Sequence, residues 1–383
     1  MKEQVALVKT PSYEQTEEGV RKTVELLGGI DKFLQPGMRV LLKPNLLFGI
    51  NPEQHVTTHP AVVQAVIDIV KEAGCDPVMG DSPAAGTGTF HSKKAGFREL
   101  CEANKVPWIS FEDDALEVPG KHAFKKLTIA RIAVEADAVI NLFKIKTHGQ
   151  MYLTLAVKNM FGIVPGIRKA QWHMTSGADA VKFAEMLVEV CYLRKPVLNI
   201  GDGITAMDGN GPRNGNPYPL GYIAAGGDPM AVDRVICHLL KVKLSKVPTF
   251  KAGENLGMGV TDLDEIEILG DDPADAEVRN FKFGGQHLPS DMGKANTLIP
   301  FLRKTTTSRP VIDHGICTRC EECVDHCPAE AMELSADRSH TDGKVVIDLD
   351  KCIRCYCCSE VCPEGSISVG QGWLWNYLPG FLK

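Results

Sequence analysis

Eight cysteines near the carboxyl end have the spacing of a metal–sulfur site. Cys317, Cys320, Cys323 and Cys327 precede Pro328, and Cys352, Cys355, Cys358 and Cys362 precede Pro363. Each cysteine recurs 35 positions on (317 to 352, 327 to 362), so the chain spells C-x2-C-x2-C-x3-C-P twice. Three thiolates on one tight loop can hold three irons of a cubane while backbone N–H groups point at the sulfurs. The fourth cysteine of each run lies too far round the turn to join them and is expected to ligate the other repeat's cluster. The spacing therefore predicts two 4Fe-4S clusters, one on Cys317, Cys320, Cys323 and Cys362, the other on Cys352, Cys355, Cys358 and Cys327. The proline after each run cannot continue the preceding helix and turns the chain away.

Structural zinc also takes four thiolates, but usually as two C-x2-C pairs separated by a longer loop. A disulfide framework belongs to small secreted domains. This chain has 383 residues and begins MKEQVALVKTPS, so no signal peptide is expected. Residues 311–370 resemble bacterial-type ferredoxins with two 4Fe-4S clusters, with all eight ligand positions filled. The spacers depart from that pattern, since Glu321, Glu322 and Asp325 stand among the first repeat's ligands and Arg354 among the second's. Acidic neighbours oppose adding an electron to an anionic centre, so the first cluster is expected to have the lower potential. Cys357, a ninth cysteine beside Cys358, reads as a packed thiol rather than a ligand.

Upstream, short apolar runs alternate with helix-period stretches through about the first 245 residues. Strands are expected at Val5–Val8, Arg39–Leu42, Pro77–Gly80, Val106–Phe111, Ala138–Phe143 and Pro196–Ile200, with helices at Gln15–Leu27 and from Pro60 to Gly74. This alternation predicts an α/β fold, a mostly parallel doubly wound sheet with helices on both faces, joined to a small α+β ferredoxin-like domain. Such sheets hold ligands in loops beyond the carboxyl ends of their strands. Four such positions are unusual: Lys43-Pro44-Asn45; Asp81-Ser82-Pro83 with Gly86-Thr87-Gly88; Lys144, Lys146, Thr147 and His148 with a helix carrying Lys158 and Asn159; and Gly201-Asp202-Gly203 with Met207-Asp208-Gly209-Asn210-Gly211-Pro212.

These segments, in this order and followed by a two-cluster ferredoxin module, resemble the domain-of-unknown-function 362 family of iron–sulfur proteins over about residues 3–370. The resemblance rests on K-P-N, G-D-S-P, K-I-K-T-H, V-K-N-M-F-G, G-D-G and M-D-G-N-G-P. It implies an α/β domain fused to a ferredoxin domain in a cytosolic redox protein, and supplies no reaction.

Ala138 to Ala178 contains no Asp or Glu, yet holds Lys144, Lys146, Lys158, Arg168, Lys169, His148 and His173. In a chain of net charge −6 this suggests a local positive field for an anionic small molecule, against the alternative of a solvated helix face. Lys146, His148 and Lys158 are the candidate catalytic residues, because a lysine withdrawn from water loses proton affinity and a histidine can move protons near neutral pH. His148 reads equally as a hydrogen-bonded structural histidine. Lys43, Asn45, Asp81, Asn159, Asp202 and Asp208 are the candidate cofactor-binding residues, the two aspartates of the Gly201–Gly215 loop offering carboxylates to a further metal or anionic cofactor. The alternative there is a turn-rich loop whose aspartates bond their own backbone. Its glycine spacing is not the dinucleotide fingerprint, and Gly86-Thr87-Gly88 lacks a downstream Gly-Lys-Ser/Thr, so no NAD or ATP site is expected. Asp228 is expected to cap the helix ending near Leu240.

The acidic balance argues against nucleic acid as main partner, and no run of 18 apolar residues is present to span a membrane. Thirteen cysteines call for a reducing compartment, read as the cytoplasm of an organism with anaerobic metabolism. The expected domains are 1–283, a polar connector 284–310, the cluster domain 311–370 and an aromatic tail 371–383 able to shield a cluster or meet a partner. The leading reading is a ferredoxin-linked redox protein moving single electrons to or from an anionic ligand at the strand ends, with a partner such as ferredoxin. The competitors are a non-catalytic carrier whose large domain docks partners, and a maturation factor that holds a metal or cofactor.

Overall fold

A computed structural model describes residues 2–83, 86–112, 114–122, 124–166, 168–177, 179–284, 308–335 and 343–370. The tail 371–383 and the connector from 285 to 307 lie outside these residues. The strands of the large domain are β1 (Glu3–Lys9), β2 (Arg39–Lys43), β3 (Asp76–Asp81), β4 (Trp108–Ser110), β5 (Ala115–Pro119), β6 (Lys126–Ala130), β7 (Ala138–His148), β8 (Tyr152–Thr154), β9 (Leu198–Asp208), β10 (Asn216–Tyr218), β11 (Tyr222–Gly226) and β12 (Ile266–Gly270). The main sheet runs β12-β1-β11-β9-β7-β2-β3-β4, with β8 against β7 and β10 against β9; β5 and β6 form a separate hairpin. Neighbours from β9 to β4 are parallel, and β11 runs antiparallel to both β1 and β9. The fold is α/β with a mostly parallel sheet.

Side-chain alternation along the strands places a core on each face. Leu41, Val139 and Phe143 join one apolar cluster with the helices Ala180–Leu193 and Pro229–Leu239. Val40, Leu42, Ile140 and Leu142 join the other with Thr16–Leu26 and Pro60–Glu72. Asp228 caps its helix as expected, accepting from Met230 and Ala231 N–H at 3.0 Å each.

Two strands overrun their expected ends. β7 continues from Phe143 through His148 with all eleven residues buried, and β9 continues through the glycines to Asp208. Gly201 and Gly203 are therefore strand residues, not the start of a ligand loop. Gly201 faces Phe143, and a Cβ there would lie 2.5 Å from its ring; one on Gly203 would lie 2.7 Å from both Ile145 Cδ1 and Tyr222 O. Glycine at these points lets β7 and β9 pack side chains over a neighbouring backbone.

In the small domain, β13 (Arg309–Ile312) pairs antiparallel with β16 (Ile367–Gly370), and β14 (Met332–Ser335) with β15 (Lys344–Ile347). The 35-residue repeat of the cysteines recurs here, since β13 and β14 map onto β15 and β16 and the short helix Glu322–Asp325 onto Cys357–Val361. Left-handed backbone also recurs, at Arg319 and Glu321 (φ +62° and +59°) and at Arg354 and Tyr356 (φ +58° and +62°). No helix among the described residues is long and apolar enough to cross a membrane.

Gly201→Ala is expected to push Phe143 out of place and destabilise the large domain by about 1–3 kcal/mol, the usual cost of overpacking. A lowered urea midpoint at unchanged slope is the measurement that checks it.

Candidate functional site

The carboxyl ends of four adjacent parallel strands bring the charged residues into one crest. Lys144 on β7 and Asp202 on β9 are register partners, and their side chains meet at 2.8 Å, both fully buried. Tyr13 OH receives a hydrogen bond from Lys144 and gives one to Asp202, while the His59 N–H donates to the other Asp202 oxygen at 2.9 Å. Tyr13 stacks on the His59 ring at 3.7 Å between centroids. Burial, more than the nearby charges, pushes the His59 imidazole down to about 4. At the ends of β2 and β3, Lys43 and Asp81 form a second buried pair at 2.9 Å, and Asp81 also accepts the Leu46 and Ser82 N–H groups. Gly162 covers this pair so closely that a Cβ would overlap Asp81 Oδ1. Burial depresses the basicity of Lys43 and Lys144, and Asp81 and Asp202 oppose it. Lys43, Asp81 and Asp202, expected to bind a cofactor, are thus held in buried ion pairs, Lys43 with Asp81 and Asp202 with Lys144. Asp208 is set apart from the crest; its oxygens accept from the Asn216 side chain and the Lys282 N–H and hold a turn.

Period two on β7 carries Lys144, Lys146 and His148 along the crest, with a bulge between the two lysines. Lys146 is fully buried and donates to Asn45 Oδ1 and Val56 O, each at 2.7 Å. Among the described residues it has no carboxylate in salt-bridge contact, and burial holds its basicity well below that of an ordinary lysine. Asn45 passes the network inward: its amide donates to Asn159, that of Asn159 to Asn141, and that of Asn141 to Asn199, at 2.8, 2.8 and 2.9 Å. Asn159 and Lys158 lie on the helix Ala156–Asn159, whose first N–H groups are accepted by the buried Asp233.

The remaining groups meet the iron–sulfur module. His148 Nδ1 accepts the Gln150 and Met151 N–H groups, which puts the proton on Nε2. Nε2 lies 3.0 Å from Glu360 Oε1, an ionic contact off the direction of a good hydrogen bond. Burial opposes the charge on Glu360, but His148, Lys158 and His173 outweigh it and hold the carboxyl near 2. Lys158 is half-buried, its ammonium 5.0 Å above the Phe161 ring, with no hydrogen-bond or salt-bridge partner among the described residues. His173 lies stacked on Phe183 with centroids 4.1 Å apart, and its Nδ1 is buried without a partner. The structure therefore brings Lys146, His148 and Lys158 close enough to interact electrostatically, and adds Glu360, His173 and Cys357, none of which was read from the sequence as a site residue.

The glycine-rich stretch after β9 docks this module. Arg213 donates to Val361 O at 2.7 Å and Asn214 to Cys362 O at 3.1 Å, serving carbonyls that the end of the short helix Cys357–Val361 leaves unpaired. Asn210 donates to Ile367 O, and Arg213 stacks over Phe48, which packs among Cys323, Cys358 and Cys362.

The eight cysteines fall into two cavities. One is lined by Cys317, Cys320, Cys323 and Cys362, the other by Cys327, Cys352, Cys355 and Cys358. These are the two crossed sets expected from the sequence. Left-handed residues recur between the cysteines of both runs, and backbone that alternates right- and left-handed residues is the form that makes anion-binding concavities. The Ala331 N–H already donates to Cys327 Sγ at 3.3 Å. The donor set and its backbone fit 4Fe-4S groups.

Asp202→Asn would leave Lys144 buried beside no carboxylate, and a loss of about 3–5 kcal/mol is expected. An unpaired buried lysine binds its proton in the unfolded chain but not in the folded one, so folding strengthens with pH up to the ordinary 10.5 of lysine. The deficit, measured by denaturant melts, should be largest at low pH and shrink towards alkaline pH.

Residues 40–238 match the domain of unknown function DUF362, and residues 316–366 match a 4Fe-4S dicluster domain. A thylakoid-associated protein of Synechocystis sp. is 41% identical over 300 residues, 78% of this chain and 93% of that protein. Two solved structures overlap part of the fold: the lactate racemase apoprotein from Thermoanaerobacterium thermosaccharolyticum and a Thermotoga maritima protein. The first is 13% identical with a TM-score of 0.41, covering 58% of this chain and 54% of that one. The second is 16% identical with a TM-score of 0.35, covering 52% of each. The chain spans about half the length of these two structures. On the DUF362 match, the relative and the dicluster domain together, the chain belongs to the DUF362 family and carries a ferredoxin-type iron–sulfur domain at its carboxyl end.

Proposed function

We propose that this protein is a redox protein in which two 4Fe-4S clusters carry single electrons to or from a small anionic molecule held at the crest of the large domain. The observation that carries the reading is the contact of the second cysteine repeat with the basic groups of the large domain: Glu360, two residues from Cys358 and Cys362, reaches His148, and Lys158 makes no direct salt bridge or hydrogen bond among the described residues. Two buried pairs already neutralise Lys43 and Lys144, so Lys158 is the cation with charge to offer a ligand. Exposure orders the two quartets. Each quartet has two buried cysteines, Cys323 and Cys362 in the first and Cys355 and Cys358 in the second, but Cys320 of the first is exposed, which supports exchange with an outside partner such as ferredoxin at the first set and with the bound molecule at the second.

When bound, such clusters supply one electron at a time. The chain's own residues do the rest. Lys158 anchors the anion, His148 presents the Nε2 proton beside Glu360, and Lys146, low in basicity, is suited to take up or give a proton as charge changes nearby. Cys317, Cys320, Cys323 and Cys362 would hold one cluster and Cys352, Cys355, Cys358 and Cys327 the other. Asn45 and Asn159 position Lys146, and Lys43, Asp81 and Asp202 stiffen the crest. An oxidoreductase role in anaerobic metabolism and a cytoplasmic location, against a membrane surface if this chain behaves as its thylakoid-associated relative is named, go with this reading.

Anaerobic purification should give about eight irons per chain. Lys158→Met should weaken retention of the anion about tenfold or more, a change on the order of 1.4 kcal/mol, and His148→Gln should slow turnover with reduced ferredoxin or dithionite, both with the iron count unchanged. Electron exchange equally fast in both variants, with no small molecule retained by the parent protein, would instead mark a carrier without a reaction of its own.

A further inference from the structure

Of the nine cysteines in the small domain, Cys357 is the one that lines neither cavity. It is absent from the lining of the space enclosed by Cys327, Cys352, Cys355 and Cys358, and it belongs to none of the apolar clusters among the described residues. It points instead towards the large domain, where its sulfur, the sulfur of Cys355 and a ring nitrogen of His173 all lie within 4.8 Å of one another. His173 is 6% exposed, and its Nδ1 has no hydrogen-bond partner, which is costly for a buried polar atom. The ring is held in place by stacking on Phe183 and by an edge contact to Phe161 at 6.2 Å between centroids.

We propose that this protein has a third metal centre, a single divalent ion of borderline softness bound by His173, Cys357 and the sulfur of Cys355, which that ion shares with the cluster of the second quartet. The sharing rests on the two-cluster reading above. A thiolate sulfur keeps lone pairs after binding one iron and can bridge to a second metal. Bonds of about 2.3 Å to sulfur and about 2.0–2.1 Å to nitrogen let donors up to about 4.4 Å apart share one ion, so a small side-chain rotation closes the site. Thiolate and imidazole donors select zinc, iron(II), cobalt(II) or nickel(II) over magnesium and calcium. Three protein ligands leave one position open, as in catalytic rather than structural sites. The charged neighbours of His173 are Glu360, Lys158 and His148. A ligand in the open position would therefore sit among these groups, and its class is a small anion with an oxygen or sulfur donor near the charge that Lys158 holds.

Cobalt(II) is a suitable probe because elemental analysis separates it from cluster iron. Anaerobically reconstituted protein with its full iron and sulfide is equilibrated with cobalt(II), desalted over a weak chelator, and cobalt, iron and sulfide are counted in the same sample. One cobalt per chain is expected, falling about tenfold or more in both Cys357→Ala and His173→Gln, with iron and sulfide unchanged and the unfolding midpoint recording that each variant folds. Fully loaded parent protein that retains no cobalt, or variants that retain as much as the parent, would overturn the third centre. So would loss of iron in Cys357→Ala, because Cys357 would then be a cluster ligand. Failure of the two-cluster reading appears separately, as a low iron count in the parent protein before cobalt is added.

Discussion

One buried carboxylate, Glu360, makes the two parts of this chain a single electrostatic unit. Burying an ion in protein costs several kcal/mol after relaxation, and it is tolerated only where opposite charge and hydrogen-bond partners await it. Glu360 is such an ion, with His148, Lys158 and His173 of the large domain around it. The dependence runs the other way as well. From Ala138 to Ala178 the sequence supplies bases without a single acid, so the counter-charge for Lys158 and the histidines must come from elsewhere in the fold. It comes from the helix of the second cysteine repeat. Arg213 and Asn214 then complete the seam by satisfying the carbonyls at that helix's end, so position, polarity and charge all fix one docking geometry.

The cysteine repeat was fully legible because its information is local. Ligand spacing on a tight loop follows from covalent geometry, and the 35-residue recurrence carries strands, helices and left-handed residues along with it. The helices Thr16–Leu26 and Pro60–Glu72 were legible for a similar reason, a stripe of apolar residues closed by glycine. Lys144 to His148 and Gly201 to Asp208 were not, because their cues are tertiary. A lysine inside a strand reads as a loop unless its partner on the next strand is known, and Asp202 is 58 residues from Lys144. A glycine in a strand reads as a turn unless the ring lying over it is known, as Phe143 lies over Gly201. Glu360 was missed because nothing in a cysteine spacer distinguishes an acid facing solvent, as with Glu321 and Glu322, from one facing another domain.

The same distinction changes the meaning of the acidic spacers. Their expected effect was a lower potential at the first quartet, yet Arg213 of the large domain lies near Cys362 of that set and places positive charge beside it. At the second quartet the nearest acid, Glu360, is matched by the basic groups it contacts. The order of the two potentials thus depends on charges brought by the large domain as well as on those written between the cysteines.

The direction of the amide chain explains how the crest holds a lysine of lowered basicity without a carboxylate partner. Asn199 donates to Gly226 O, Asn141 to Asn199, Asn159 to Asn141 and Asn45 to Asn159, so each side chain spends its N–H inward and presents its carbonyl outward. The chain ends on Asn45 Oδ1, an acceptor, and the backbone places a second acceptor, Val56 O, at the same 2.7 Å from Lys146 Nζ. Two acceptors require two N–H donors, which a neutral amine supplies while keeping its lone pair. Lys43 and Lys144 each face a carboxylate and need their protons for the pairs they make. Lys146 faces two neutral acceptors instead, so burial can depress its basicity without breaking a bond of the network.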